Sequence, residues 1–490
     1  MRHSRVLVAV AVTGLALTGV PASAGAAGDA GRDADARVMR RYAADTWASM
    51  TAMTYGESGL VADSLADDGT RSVQTSTTNI GAYLWSAVAA RNIGIIGHRE
   101  LVARASLTLT TLERLERDAG GQFYNWYDAR TGALLTTWPP TGEPLTPILS
   151  SVDNAWLATG LRVLGGAVPE LAARASALYR SMDFGVYYRP EVNRIAFHIV
   201  PSTGESPCCY DTVVSESRMA TYLGIANGQL PPKTYFGSWR AFPATCDYAF
   251  QETKPAGPTR TYLGQQVYEG SYAYAGMRIV PSWGGSAFEA LMPALFVPEE
   301  TWGPRSWAVN HPNTVRAQIH HGMVEAGYGY WGFSPSDNPA GGYSVYGVDA
   351  IGSDPNGYPS NNDATLVDAG FPGCPDRPAQ PAPPPSAYTH GVVTPHAAFL
   401  GLRWDTRAAL DNLARLRRDF DVYSRWGFRD AVDVDTGQVA PAHLSLDQGM
   451  IMAALGNALT RDSLRRAFAG ADLERRVRPV VGMETFSARR

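Results

Sequence analysis

Six segments of this 490-residue chain open alike, and that repetition constrains the fold more than any other feature. Each has a Gly-, Ser-, Thr- or Pro-rich approach, one or two polar residues, then an apolar or amphipathic run of small side chains. They are Thr77-Thr78-Asn79-Ile80-Gly81, Ser151-Val152-Asp153-Asn154-Ala155, Ser215-Glu216-Ser217-Arg218-Met219, Gly285-Ser286-Ala287-Phe288-Glu289, Thr394-Pro395-His396-Ala397 and Leu446-Asp447-Gln448-Gly449-Met450. Each reads as a helix N-terminus, where a short polar side chain can satisfy a backbone N–H that has no intrahelical partner. More charged amphipathic stretches alternate with them at about 37–54, 100–118, 169–182, 313–326 and 406–420, with a weaker one at 234–241.

Small apolar helices suit an inner ring and charged ones an outer ring. Six pairs in alternation predict a mainly α protein, an (α/α)6 toroid with short β and loop insertions, whose inner helix starts converge on one face. Asp153, Glu216, Glu289 and Asp447 should then surround a single cavity. The competing reading is an irregular bundle whose acids sit at helix starts because the macrodipole favours them there. One acid is explained as well that way as by function; four together are not.

The first 24 residues combine a basic start, an apolar run at 6–20 and the Ala22-Ser23-Ala24 site, the pattern of a secretory signal peptide. Residues 25–490 are expected to form one exported, extracellular domain, a monomer with no membrane segment after cleavage. In an oxidising compartment Cys208, Cys209, Cys246 and Cys374 should form disulfides. A vicinal bond would be strained, so one of Cys208 and Cys209 is expected to pair with Cys246. Cysteine spacing fits no zinc pattern and no cofactor is expected. A net charge of -4 with 18% charged residues leaves no basic footprint for nucleic acid. The Pro-rich tract at 372–385 predicts a surface loop of polyproline character, and the acids at 430–435 read as a plain turn rather than a calcium loop.

Aromatics make up 10% of the chain, with 12 Trp and 23 Tyr, many in Gly-rich polar segments. Sugar rings stack on such faces, though core packing uses them too. Trp126, Tyr127, Trp283, Tyr330 and Trp331 are candidates for a sugar-stacking cleft, with Asn79, Asn154, Arg218 and Gln448 as polar partners.

Specific motifs recur along the chain: Thr75-Ser76-Thr77-Thr78-Asn79, Phe123-Tyr124-Asn125-Trp126-Tyr127-Asp128, Ser150-Ser151-Val152-Asp153-Asn154, Tyr210-Asp211 before Ser215-Glu216-Ser217-Arg218, Ser282-Trp283-Gly284-Gly285-Ser286-Ala287-Phe288-Glu289, Gly327-Tyr328-Gly329-Tyr330-Trp331-Gly332 and Leu446-Asp447-Gln448-Gly449. In this order the chain resembles, over about 74–459, glucoamylase-like glycoside hydrolases acting on β-1,2-glucan. These are the endo-β-1,2-glucanases of glycoside hydrolase family 144 and the glucoamylase-like part of cyclic β-1,2-glucan synthases. After Asp447 the helix reads Met452-Ala453-Ala454-Leu455, closer to the synthase-linked domains.

The resemblance implies a glucan substrate and a pair of carboxyl groups, with Glu216 as the acid and Asp447 as the base that activates water. Asp153 would hold the sugar at the cleavage subsite. Glu289 would be a further acidic wall or, in a retaining variant, the partner of Glu216. Glycoside cleavage needs one carboxyl that stays protonated and one that is charged. Arg218 lies two residues from Glu216 and would depress its pKa if paired with it, so Arg218 should face substrate or another acid. The rival class is a non-catalytic carbohydrate-binding protein on the same scaffold.

Overall fold

The computed structural model describes residues 24–242, 246, 254–353, 373–376, 378, 381, 384–388 and 391–489, with side chains from residue 31. Residues 1–23 of the predicted signal peptide and part of the Pro-rich tract lie outside the described residues. Among them no helix is long and apolar enough to cross a membrane.

The long helices are α1 (Ala24–Met53), α2 (Thr77–Ile93), α3 (His98–Leu112), α4 (Ser151–Ala167), α5 (Ala172–Arg180) and α6 (Arg218–Asn227). After α6 come the short α7 (Ala287–Leu291) and α8 (Glu299–Trp302), then α9 (Trp307–His320), α10 (Pro395–Gly401), α11 (Thr406–Asp419) and α12 (Ser445–Leu459). All six expected small-residue segments lead into helices. The stretch expected as a helix at 234–241 is a 3-10 turn, Pro232–Phe236, begun by Pro231-Pro232, because proline fits a first turn but not a helix interior.

The pairing follows the expected alternation. α2 packs on α3, α4 on α5, α6 on the 3-10 turn, α7 on α9, α10 on α11, and α12 on α1. Among the small-residue helices α2 touches α4 and α12, α4 touches α6, and α10 touches both α7 and α12. Between α6 and α7 the link is made by Arg218, which donates to the carbonyls of Glu289 (2.8 Å) and Ala290 (2.7 Å). Small residues permit these close crossings. A Cβ at Gly81 would stand 2.3 Å from the Trp156 carbonyl oxygen, and one at Gly160 would stand 2.5 Å from that of Gly81.

The β structure among the described residues consists of two-stranded ladders, five of which pin the starts of the small-residue helices. Gln74–Ser76 pairs with Trp126–Asp128 before α2, and Leu149–Ser150 with His198–Ile199 before α4. Ser282–Trp283 pairs with Gly352–Ser353 before α7, Val392–Val393 with Val432–Asp433 before α10, and Ser64–Ala66 with Ala442–Leu444 before α12. The segment before α6 is tied by the Trp283 N–H to the Val214 carbonyl, 3.0 Å. One contiguous apolar core runs behind these starts, from Met39 in α1 to Phe486 near the C-terminus.

Both disulfides differ from the expectation that Cys246 joins the vicinal pair. Cys208 bonds Cys209, and Cys246 bonds Cys374 across 128 residues. The folded chain carries the Cys374 segment to Cys246, a long-range approach that local spacing does not encode.

Candidate active site

Helix capping explains why acids occupy the starts but not where they point. Ser150 accepts the N–H of Asp153, and Ser286 that of Glu289, so both acids stand three residues past an N-cap serine. In a capping box such an acid folds back onto its own N-cap N–H. These two reach other segments instead. Asp153 accepts from Thr78 Oγ1 of α2 at 2.6 Å, and Glu289 Oε2 accepts the backbone N–H of Glu216 at 2.7 Å. The macrodipole reading therefore accounts for their position and not for their use.

A cavity of about 740 Å3 opens where the helix starts meet, lined by Asp63, Asp153, Glu216, Asp337 and Asp447 with Trp126, Trp138 and Phe288. Glu216 also lines an adjoining cavity of about 210 Å3, together with Glu289, Trp283, Tyr210 and Phe197. Three of the four expected acids share the main cavity; Glu289 lies beside it, joined through Glu216.

Glu216 is placed by the turn before α6, and its Oε2 accepts the indole N–H of Trp156 at 2.5 Å. Burial and the neighbouring Glu289 charge push this carboxyl well above the ordinary glutamate range, against the lowering effect of the Trp156 donor. It is built to stay protonated. Burial also raises Asp153, against the Ser150 and Thr78 donors. Asn125, oriented to satisfy both neighbours, donates to Asp153 Oδ2 at 2.8 Å and accepts from Trp126 Nε1 at 2.9 Å. The Asp153 carboxylate and the Trp126 ring are thereby held in one unit.

Elsewhere on the cavity lining burial and Asp430 raise Asp447 well above the usual range, while burial carries Asp430 to about 6. Two adjacent buried carboxyls cannot both ionise readily, so the pair tends to hold one proton. Asp337 stands next to them, its N–H donating to Asp430 Oδ2 at 2.6 Å, and burial followed by Asp430 lifts it to about 7. Asp63 accepts from Asn79 Nδ2 at 2.7 Å and, through its carbonyl, the N–H of Ser445 at 2.8 Å, which ties it to the start of α12. His396 Nδ1 lies 3.4 Å from Asp447 Oδ2, and burial drives the imidazole down to about 3, leaving it neutral.

Of the expected polar and aromatic partners, Asn79 and Trp126 line the main cavity and Trp283 the smaller one. Five do not line either cavity, and Tyr330 is a sixth. Tyr127 is fully buried and donates to the Glu116 carbonyl at 2.6 Å. Asn154 spends its amide on the backbone of Phe123, and Gln448 donates to the Phe428 carbonyl at 2.9 Å. Trp331 is 1% exposed, within the core, and Tyr330 bonds Asp419 on the outer side. Arg218 is 3% exposed and faces another acid, with Nε 2.7 Å from Glu299 Oε1. A buried amide or guanidinium must be hydrogen-bonded within the protein, and these side chains are consumed that way.

Sequence reasoning missed Asp63, Asp337 and Trp138 and took Asp430 for a plain turn. Asp63 and Asp337 lie in connecting segments where no helical period singles out a position. Trp138-Pro139-Pro140 carried a usable signal, an aromatic beside a stiff Pro-Pro tip in an otherwise polar loop.

Known proteins resemble the chain in sequence and in fold. A family model described as Putative glucoamylase matches residues 253–469, and a second, a protein of unknown function (DUF3131), matches residues 41–189. The cyclic beta-(1,2)-glucan synthase NdvB of Rhizobium meliloti (strain 1021) is 22% identical over 88% of this chain, which spans 18% of that protein's length. A putative glucoamylase from Bacteroides caccae superposes with a TM-score of 0.64 and 18% identity, covering 92% of this chain and 98% of its own. An endo-beta-1,2-glucanase from Chitinophaga pinensis, solved with sophorotriose and glucose, gives 0.63 and 16%, with 91% and 97% covered. The chain thus resembles the glucoamylase-like glycoside hydrolases in sequence over residues 253–469, and it has their fold over about nine-tenths of its length.

Proposed function

We propose that this chain is an exported glycoside hydrolase that cleaves β-1,2-glucan, built as one (α/α)6 toroid and acting with Glu216 as general acid. The observation that carries the reading is the setting of Glu216. It is desolvated, held by Trp156 and placed on a wall shared by two cavities, one of them lined by four further acids. A protonated Glu216 donates its proton to the glycosidic oxygen as the bond from that oxygen to C1 breaks. On the far side of the sugar, the charge left on the Asp430–Asp447 pair takes a proton from the attacking water, whose oxygen bonds C1. Asp153, fixed by Thr78 and Asn125, accepts from sugar hydroxyls, and Trp126 and Trp138 offer faces for stacking. The expected result is inversion.

Glucan is favoured because the Chitinophaga pinensis protein of like fold is an endo-β-1,2-glucanase and the NdvB synthase makes the same linkage cyclic. The two disulfides suit an exported protein. One observation favours a second reading. Glu289 Oε2 accepts the backbone N–H of Glu216 and both acids line the smaller cavity, which makes Glu289 the neighbour that would partner Glu216 in a retaining mechanism.

A panel of linear glucans, with products separated by chromatography, tests the reading. β-1,2-Glucan should be shortened and β-1,3- and β-1,4-glucans left intact. The Glu216→Gln variant should lose at least about a thousandfold in rate while keeping its circular dichroism. Binding of β-1,2-glucan with no new reducing ends would make the chain a carbohydrate-binding protein instead.

A further inference from the structure

We propose that a separate cavity, at the far end of the inner helices from the acids, binds a small amphipathic carboxylate, an acyl tail with one anionic head. It measures about 340 Å3 and is lined by Leu291 at the end of α7, Phe399 and Leu400 of α10, and Ala454 and Ala458 of α12. The first turns of the same three helices hold Glu289, His396 and Asp447. About ten residues of α12 separate Asp447 from Asn457 in this lining, or about 15 Å at the helical rise. The volume lies at the lower end of small-molecule sites, about 300–1,000 Å3, which combine apolar walls with a few convergent polar groups.

Here the polar groups are mostly basic. Arg403, Arg461 and Arg465 line the cavity with a single acid, Asp462. The carbonyl ends of helices attract cations, and local partners account for two of the three arginines. Arg465, 5% exposed, donates to the Ala294 carbonyl at 2.8 Å and pairs with Glu300 at 2.5 Å. Arg403 pairs with Asp462 at 2.7 Å and lies 3.5 Å from the same Glu300. Two acids are thus spent on two arginines, and among the described residues no acid pairs with Arg461. Arg461 is exposed at the mouth, where an anion supplies the missing charge. A simple inorganic anion would leave the walls at Leu291, Leu295 and Phe399 uncovered, whereas an acyl tail fills that space and removes apolar surface from water.

The backbone is an independent observation. Arg461 and Asp462 have φ of 54° and 59°, the only adjacent non-glycine pair with positive φ among the described residues. Such a conformation is costly for an L residue and recurs at ligand clamps. Here it sets the one arginine without an acid on the cavity lining. The site rests on lining and charge alone and stands or falls separately from the glucan reading.

The purified chain is titrated calorimetrically with sodium octanoate, 1-octanol and sodium sulfate, and its thermal midpoint is followed. One octanoate should bind per chain and raise the midpoint, with octanol and sulfate weaker by about tenfold or more, the loss of a charged hydrogen bond or of the buried tail. Arg461→Gly suits the positive φ, so without ligand its midpoint should match or exceed that of the wild type. Its octanoate affinity should nevertheless fall about tenfold or more. Ala458→Trp, at an exposed position of the lining, should block the mouth and abolish binding. No saturable octanoate binding to the wild type, octanol or sulfate bound as tightly as octanoate, or undiminished octanoate affinity in Arg461→Gly would overturn the site.

Discussion

The indole N–H of Trp156, from within α4, donates to Glu216 Oε2, ahead of α6, across 2.5 Å. This contact moderates the acidity of the central acid, because it opposes burial and the Glu289 charge, which both raise it. Trp156→Phe removes the donor and leaves the ionised form less stabilised. Glu216 must be protonated to act, so activity falls as pH rises through its pKa. In the variant that alkaline limb of kcat/KM should move to higher pH, and a shift to lower pH would contradict the role of the contact.

Arg218 binds the framework, not the substrate. It donates to Glu299 and to the carbonyls of Ser215, Glu289 and Ala290, and its guanidinium lies 4.6 Å over the Trp307 ring. Arg218→Leu strands the buried Glu299 charge and should cost about 3–5 kcal/mol in denaturant unfolding. Adding Glu299→Leu should restore part of that loss, since the stranded charge is gone but the three carbonyls still lack their donor. A double variant no more stable than the single one would show that the pair's charge is not the cause.

Glu299 also predicts an acid limit to stability. Although burial raises its pKa, Arg218 and His311 hold it below its ordinary 4.5, at about 2. A lowered folded pKa gives stability that is present above 4.5 and lost as pH falls towards 2. At 1.36 kcal/mol per pKa unit this amounts to about 3 kcal/mol. His311, kept neutral by burial, adds a loss of the same sign below its ordinary 6.5. Between pH 7 and 4.5 the raised Asp153, Glu216, Asp337 and Asp430 carboxyls act in the opposite direction, so the Glu299 contribution is read below that range: in the Arg218→Leu/Glu299→Leu protein the fall in unfolding free energy between 4.5 and 2 should shrink by about that amount.

Two kinds of tryptophan should behave oppositely. Trp126 and Trp138 meet edge to face at 5.0 Å on the cavity wall. Trp138→Ala should raise KM for glucan about tenfold with kcat nearly unchanged, as loss of about 1.4 kcal/mol of stacking requires. Trp331→Ala should instead cost about 3–5 kcal/mol of stability, with KM unchanged in the protein that remains folded. A KM effect confined to Trp331 would reverse the assignment.

These contrasts show what could be read from residues alone. Ser76, Ser150 and Ser286 mark three helix starts by local capping chemistry, and the polar-then-small pattern that they share with three uncapped starts is enough to find all six helices. What a polar side chain does after the start is decided by distant neighbours. Gln448 follows the cavity acid Asp447 directly, yet it turns to the Phe428 carbonyl, about 100° round the helix. Tyr127 follows Trp126 in a strand where successive side chains face opposite ways, so only one of the two can reach the cavity. Asp63 reaches the site beside a ladder with a remote segment, Ser64 with Leu444, and Asp337 from a local hairpin, its N–H tied to the distant Asp430. The partner of Cys246 is likewise set 128 residues away.

The most direct test of Glu216 as acid opposite the Asp430–Asp447 pair is the anomer first released from linear β-1,2-glucan, followed by proton NMR before mutarotation. Attack by water from the far side predicts new α reducing ends, absent with Glu216→Gln. New β reducing ends would transfer the partner role to Glu289, and no new reducing ends at all would contradict the account.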